Sequence, residues 1–189
     1  MRLEKIGEEF PGSCVIEWKA FLLRPYPEPR SIEEFRKYTE SWTRPAAEPE
    51  SGRFTVWSTD EPPPSHSVPP AIAAKAAAQQ GGNAFDRYHR ALMESYFHHN
   101  RNITEPANLV RIAGEAGLDV AAFLEALKDP ALAREVVDDH NQAVSMGISG
   151  VPTVIVDDRW KITGAQPREV YRRIIELRLA GESLSGGQT

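Results

Sequence analysis

A chain of 189 residues, 41% hydrophobic and 26% charged, is long enough for one domain with a buried core and is neither disordered nor fibrous in composition. Its 27 acidic and 22 basic residues leave a net charge of -5, so there is no general cationic surface for a phosphate backbone and no nucleic-acid partner is expected. The single cysteine, Cys14, excludes an intramolecular disulfide and any Cys-X-X-Cys metal or redox pair within this sequence.

In chain order, Met1 to Phe10 sets Leu3, Ile6 and Phe10 at helical spacing, and Pro11-Gly12 ends the pattern. Val15 to Leu23 alternates, with Ile16, Trp18, Ala20 and Leu22 on one apolar face, and predicts a strand. Ten of the fifteen prolines lie between Pro25 and Pro70, which disfavours long helices and central strands there. A short helix from Ser31 to about Trp42 is still expected. Ser31 would be its N-cap, Glu34 would complete a capping box, and Ile32, Phe35 and Tyr38 would anchor it.

From Ser67 the texture is helical for about eighty residues. Ser67 caps an alanine-rich helix that Gly81-Gly82 stops, and Phe85, Tyr88, Leu92, Met93 and Tyr96 form the stripe of the next. Thr104 and Asp119 are read as the caps of two further helices, carrying Leu109 and Ile112, then Phe123, Leu124 and Leu127, with Gly117 closing the first. Pro130 opens the last helix of the block, with Leu132, Val136, Val137 and His140 inward and Gly147 as its end. Thr153 to Val156, the turn Asp157-Asp158-Arg159 and Trp160 to Thr163 form a hairpin, and a final helix after Pro167 faces Val170, Ile174 and Leu177 to the core.

Gly150-Val151-Pro152-Thr153 before the hairpin and Gly164-Ala165-Gln166-Pro167 after it are more specific together than either alone. With Ser65-His66-Ser67, Phe85 to Asn102 and Glu115-Ala116-Gly117-Leu118-Asp119, they make the chain resemble the DsbA-like branch of the thioredoxin superfamily. The resemblance is nearest to its FrnE-like cytosolic members, with kappa-class glutathione transferases and 2-hydroxychromene-2-carboxylate isomerases as more distant relatives. It implies an α/β, thioredoxin-like fold with a helical insertion subdomain: residues 1–66 and 148–181 thioredoxin-like, 67–147 inserted, 182–189 a flexible tail. It also implies that Pro152 is cis and that Val151 offers backbone hydrogen bonds to an extended substrate segment, which suits the small trans preference of an X-Pro bond. His66, just before a helix start, is a further candidate for the border of that groove.

One departure from the pattern stands out. Members of the family begin with a β-strand and a Cys-X-X-Cys at a helix N-terminus, where helix N–H groups lower a thiol pKa. This sequence has neither, and Met1 to Ile6 reads as the middle of that first helix. Three explanations are open: the strand and redox pair lie upstream, so the chain is truncated; another segment such as Arg53 to Trp57 fills the gap; or a partner chain does so in an oligomer that covers exposed sheet edges. Cys14 follows Pro11-Gly12-Ser13 and reads as an incidental small residue.

The remaining candidates carry little. The five histidines, His66, His89, His98, His99 and His140, show no metal-ligand spacing, and no nucleophile elbow or phosphate loop occurs. Asn102-Ile103-Thr104 matches a glycosylation sequon by chance. The N-terminus lacks the apolar run of about 7 to 15 residues of a secretory signal, and Val151 to Val156 falls short of the roughly 20 residues of a membrane span. A cytoplasmic protein without membrane association is expected. The function expected from the resemblance is thiol-disulfide oxidoreductase chemistry on protein thiols or disulfides, without a catalytic residue in this chain. The alternatives are a non-catalytic peptide-binding or holdase module using Val151 and Pro152, and a glutathione-dependent transferase or isomerase, the one reading that brings in glutathione as a cofactor.

Overall fold

The computed structural model describes residues 2–181, and the tail expected over 182–189 lies outside them. The chain forms two compact units, Met1–Trp18 with Gly150–Thr189, and Lys19–Ser149.

The first unit contains α1 (Arg2–Glu9), a hairpin of β1 (Thr153–Val156) and β2 (Trp160–Thr163), and α9 (Arg168–Leu179). Ile6 is the buried anchor of α1, and the ordinary van der Waals limit is reached where Gly7 meets Ile16, 3.4 Å from a Cβ placed there. The strands are antiparallel with Thr153 opposite Thr163 and Val156 opposite Trp160. Asp157 and Asp158 turn the chain with φ of 50° and 53°, and the Arg159 N–H donates to the Val156 carbonyl at 3.2 Å. Short polar side chains tolerate this left-handed conformation, which matches the twist of a hairpin. On α9 the buried residue is Tyr171, whose hydroxyl accepts from the Gln166 N–H at 3.2 Å. Val170, expected inward, is 36% exposed, while Ile174 and Leu177 are half-buried.

The second unit holds the helices α2 (Ile32–Thr39), a 3-10 turn Glu40–Trp42, α3 (Thr43–Ala46), α4 (Val68–Ala78), α5 (Ala84–Phe97), α6 (Pro106–Glu115), α7 (Val120–Ala126) and α8 (Pro130–Ser145). Ala73, Ala76 and Ala77 share one face of α4 and are fully buried. Their small side chains let α4 pack into a core with Tyr88, Ile112 and Phe123. Residues 19–66, grouped with the hairpin in the sequence reading, contribute Phe35, Trp42 and Trp57 to an aromatic core that packs against Tyr96 and Phe97 of α5. That shared core is why the unit boundary falls at Trp18.

Several caps differ from expectation in an instructive way. Ser31 and Asp119 accept from Glu34 N–H and Ala122 N–H, as N-caps do. The capping box is not closed, since Ser31 donates its hydroxyl to Glu33 at 2.8 Å. Ser67 caps nothing with its side chain and instead accepts from the Arg24 N–H at 3.1 Å. Thr104 lies one residue before the cap, Glu105, and donates both its N–H and hydroxyl to the Asn102 side chain. Tyr38, Leu124 and Val137, expected in the core, are 55%, 43% and 46% exposed.

The main correction concerns Val15 to Leu23. It forms no strand and pairs with none, and the sheet has two strands among the described residues. Its alternating N–H groups find side chains: Ala20 donates to Asp139 Oδ2 at 3.0 Å, Leu22 to His140 Nδ1 at 3.2 Å, and Arg24 to Ser67. Arg53 to Trp57 likewise joins no sheet. Thr55 N–H donates to the Phe97 carbonyl at 2.8 Å and Trp57 N–H to Thr39 Oγ1 at 2.9 Å, so this segment satisfies a helix end and a buried hydroxyl.

Candidate functional site

The loop after α8 reaches β1 through Gly150, Val151 and Pro152, and the Val151–Pro152 peptide bond is cis. Thr153 donates its hydroxyl to the Gly150 carbonyl at 2.8 Å, which pins the loop to the strand. The Gly164 N–H donates to the Pro152 carbonyl at 2.9 Å, extending the hairpin register by one pair.

That last bond fixes the parity of the strand. In an antiparallel pair, residues that bond to the partner alternate with residues whose N–H and C=O point away. If Pro152 bonds toward β2, then Val154 and Val156 do too, and Thr153 and Ile155 aim their backbone groups at the opposite edge. Among the described residues, no partner meets those groups. Val151 also leaves its side chain 51% exposed. The arrangement is a short row of donors and acceptors at the pitch of a β-strand, able to take an added extended segment.

Val151 and Pro152 are therefore brought to one strand end. His66 belongs to the Lys19–Ser149 unit, half-buried, with its Nδ1 2.9 Å from the Ser65 hydroxyl. Cys14 sits just after α1, where its N–H donates to the Phe10 carbonyl at 3.1 Å. Among the described residues no group of three or more His, Cys, Asp or Glu side chains could hold a metal ion. Thr153 and Ile155 escaped the sequence reading because a strand's outward parity depends on its partner's register.

A family model described as the DSBA-like thioredoxin domain matches residues 1–176, and the chain belongs to that family. Its fold is the DsbA-like thioredoxin fold, mostly helical with a small two-stranded sheet. A ClpXP adapter protein SpxH of Halalkalibacterium halodurans is 33% identical over 148 residues, which are 75% of this chain and 46% of that protein. The chain spans about half the length of the curated relatives it matches. Among solved structures, the cytosolic disulfide reductase DsbM of Pseudomonas aeruginosa aligns with a TM-score of 0.72 at 19% identity, over 95% of this chain and 90% of that one. A Nitrosomonas europaea protein proposed to be a protein disulfide isomerase aligns with a TM-score of 0.76 at 17% identity, over 96% and 90%. No described helix is long and apolar enough to cross a membrane.

Proposed function

We propose that this chain belongs to the FrnE-like branch and acts in the cytoplasm by holding an extended segment of another protein along the open edge of β1, as an adapter or holdase does. The observation that carries this reading is the outward pair of unpaired backbone positions at Thr153 and Ile155, just after the half-exposed Val151. Two others support it. With one cysteine the sequence has no pair for dithiol exchange, and relatives at about one-third identity are named ClpXP adapter proteins.

The register supplies a discriminating variant. Ile155→Pro removes an outward N–H while leaving the bonded pairs Val154 with Ile162 and Val156 with Trp160 in place. Binding of an unstructured polypeptide such as reduced carboxymethylated lactalbumin, followed by fluorescence anisotropy, should fall about tenfold or more in this variant with unchanged circular dichroism. Undiminished binding would refute the edge as the site.

The oxidoreductase reading remains the alternative, favoured by the fold shared with a cytosolic disulfide reductase. It requires turnover of a disulfide substrate with dithiothreitol as reductant, which this chain should not support. Glutathione titrated in the same assay distinguishes the third reading, in which binding of the tripeptide is essential.

A further inference from the structure

The Lys19–Ser149 unit carries a second feature, independent of the β1 edge. The Arg30 guanidinium lies over the Phe35 ring, 4.1 Å from its centroid, and 5.3 Å from the centroid of Tyr38. The two rings stack at 5.8 Å and 22°, so the cation rests on an aromatic deck whose inner ring is buried and whose outer ring is 55% exposed. Stacking engages the face of a guanidinium and leaves its in-plane N–H donors available. No acceptor meets those donors among the described residues.

The surrounding charges do not neutralise it. Glu28 is bound to Arg24, at 3.4 Å, and Glu33 accepts from the Ser31 hydroxyl at 2.8 Å. Burial, and then the charge of Arg24, both disfavour the protonated guanidinium and hold the Arg30 pKa below its ordinary value. A half-buried arginine in this state gains from an external carboxylate.

The chain between the two arginines is stiff. Pro25, Pro27 and Pro29 fix φ at alternate positions, and each restricts the residue before it to extended backbone. Arg24 and Ser67 exchange two bonds, at 3.1 and 2.8 Å, and the Glu28 N–H donates to the Ser65 carbonyl at 3.3 Å. Residues 25–29 are exposed, with Tyr26 74% accessible. Exposed tyrosine and proline rings beside the stacked Arg30 guanidinium give a partner both apolar area and charge at low ordering cost.

We propose that Arg30 and Arg24, with Tyr38 and the rigid segment 25–29, form a docking surface for an acidic polypeptide segment of a protein partner. The charge complementarity selects carboxylates, and the apolar rim favours a peptide over a bare anion.

The probe is an N-acetylated, C-amidated hexapeptide of alternating glutamate and alanine, compared with its glutamine counterpart. Binding is read by fluorescence anisotropy of a labelled peptide, and the Arg30 Nε–Hε resonance by NMR. The Glu peptide should bind about tenfold or more tightly than the Gln peptide, shift the Arg30 resonance, and weaken with salt. Arg30→Ala should remove that preference and Arg30→Lys should retain only part of it. Near-UV circular dichroism checks the fold, and Arg30→Gln replaces the alanine variant if that one does not fold. Equal affinity for the two peptides, wild-type affinity in a folded Arg30→Ala or Arg30→Gln protein, or tighter binding of a single-stranded oligonucleotide than of the Glu peptide would each overturn the proposal. Ile155→Pro should leave this binding unchanged, which separates the surface from the β1 edge.

Discussion

Arg172 on α9 grips Glu9 at the end of α1 with two hydrogen bonds, Nε to Oε2 at 2.7 Å and Nη2 to Oε1 at 3.1 Å, and Arg168 adds a contact to Oε1 at 3.1 Å. The pair closes the first unit by joining its first and last helices. The Arg172 hydrogen bond holds the Glu9 carboxyl below the usual carboxylate range, against the opposing effect of burial, and the same bond raises Arg172. A depressed carboxylate pKa contributes stability that is present above the unfolded-state value and is lost as pH falls through the folded one. Glu9→Gln should therefore lower the Tm at pH 7, with the difference from wild type shrinking below about pH 4 and in high salt. Thermal melts across pH decide it, and a difference that is the same at pH 7 and at acid pH would be inconsistent with this role.

The Asp139 carboxylate organises the segment that was expected to be a strand. Burial raises its pKa, but the Ala20 N–H, the Lys75 ammonium at 2.7 Å and the Lys19 charge together outweigh burial and leave it lowered. Its contribution is again complete above the unfolded carboxylate pKa and disappears in acid. Asp139→Ala should cost about 2–3 kcal/mol, since it strands the Ala20 donor and leaves the half-buried Lys75 only its longer contact to Glu135, at 3.9 Å. Hydrogen exchange gives a sharper reading: the Ala20 amide should lose protection in Asp139→Ala, and the Leu22 amide in His140→Ala. Unchanged exchange at both positions would show that these side chains do not hold the segment.

Thr39 is buried, accepts the Trp57 N–H at 2.9 Å and donates to the Arg36 carbonyl at 2.8 Å. Thr39→Val keeps the volume and leaves a buried N–H beside a 1%-exposed indole without its acceptor. A loss of about 1–3 kcal/mol in urea denaturation is expected, well above a surface substitution.

Two glycines three residues apart should respond with opposite signs. Gly114 lies inside α6, where a Cβ would meet Val120 at an ordinary 3.7 Å, so Gly114→Ala should stabilise by about 0.5–1 kcal/mol. Gly117 has a φ of +69° with open space around it, so Gly117→Ala meets only the backbone cost of the left-handed conformation, about 1 kcal/mol. Equilibrium denaturation of the two variants tests both, and a shared sign would contradict a helix that ends at Glu115, between them.

Much of the architecture was legible where the cause is local. Helix periods, the Asp119 and Ser31 caps, the Gly117 stop and the hairpin turn all depend on residues within about four positions, and hydrogen bonds of that reach are written in the sequence. Misreadings came where a residue outside the helix claims the capping side chain. Ser67 and Thr104 are both plausible caps, but Ser67 is taken by Arg24 and Thr104 by Asn102. The same engagement leaves the Asn102 side chain of the sequon 3% exposed.

By itself the sequence determined the helical block, the hairpin, the acidic charge and the presence of one cysteine, because composition and periodicity need no partner. Only the tertiary structure decided where long-range donors end. The alternation of Val15 to Leu23 predicts a strand, yet whether its N–H groups meet a strand or the Asp139 and His140 side chains depends on residues 119 and 118 positions away. The outward face of β1 is of the same kind. A period of two states that residues alternate, and only the bond from Gly164 to Pro152 states which ones face out.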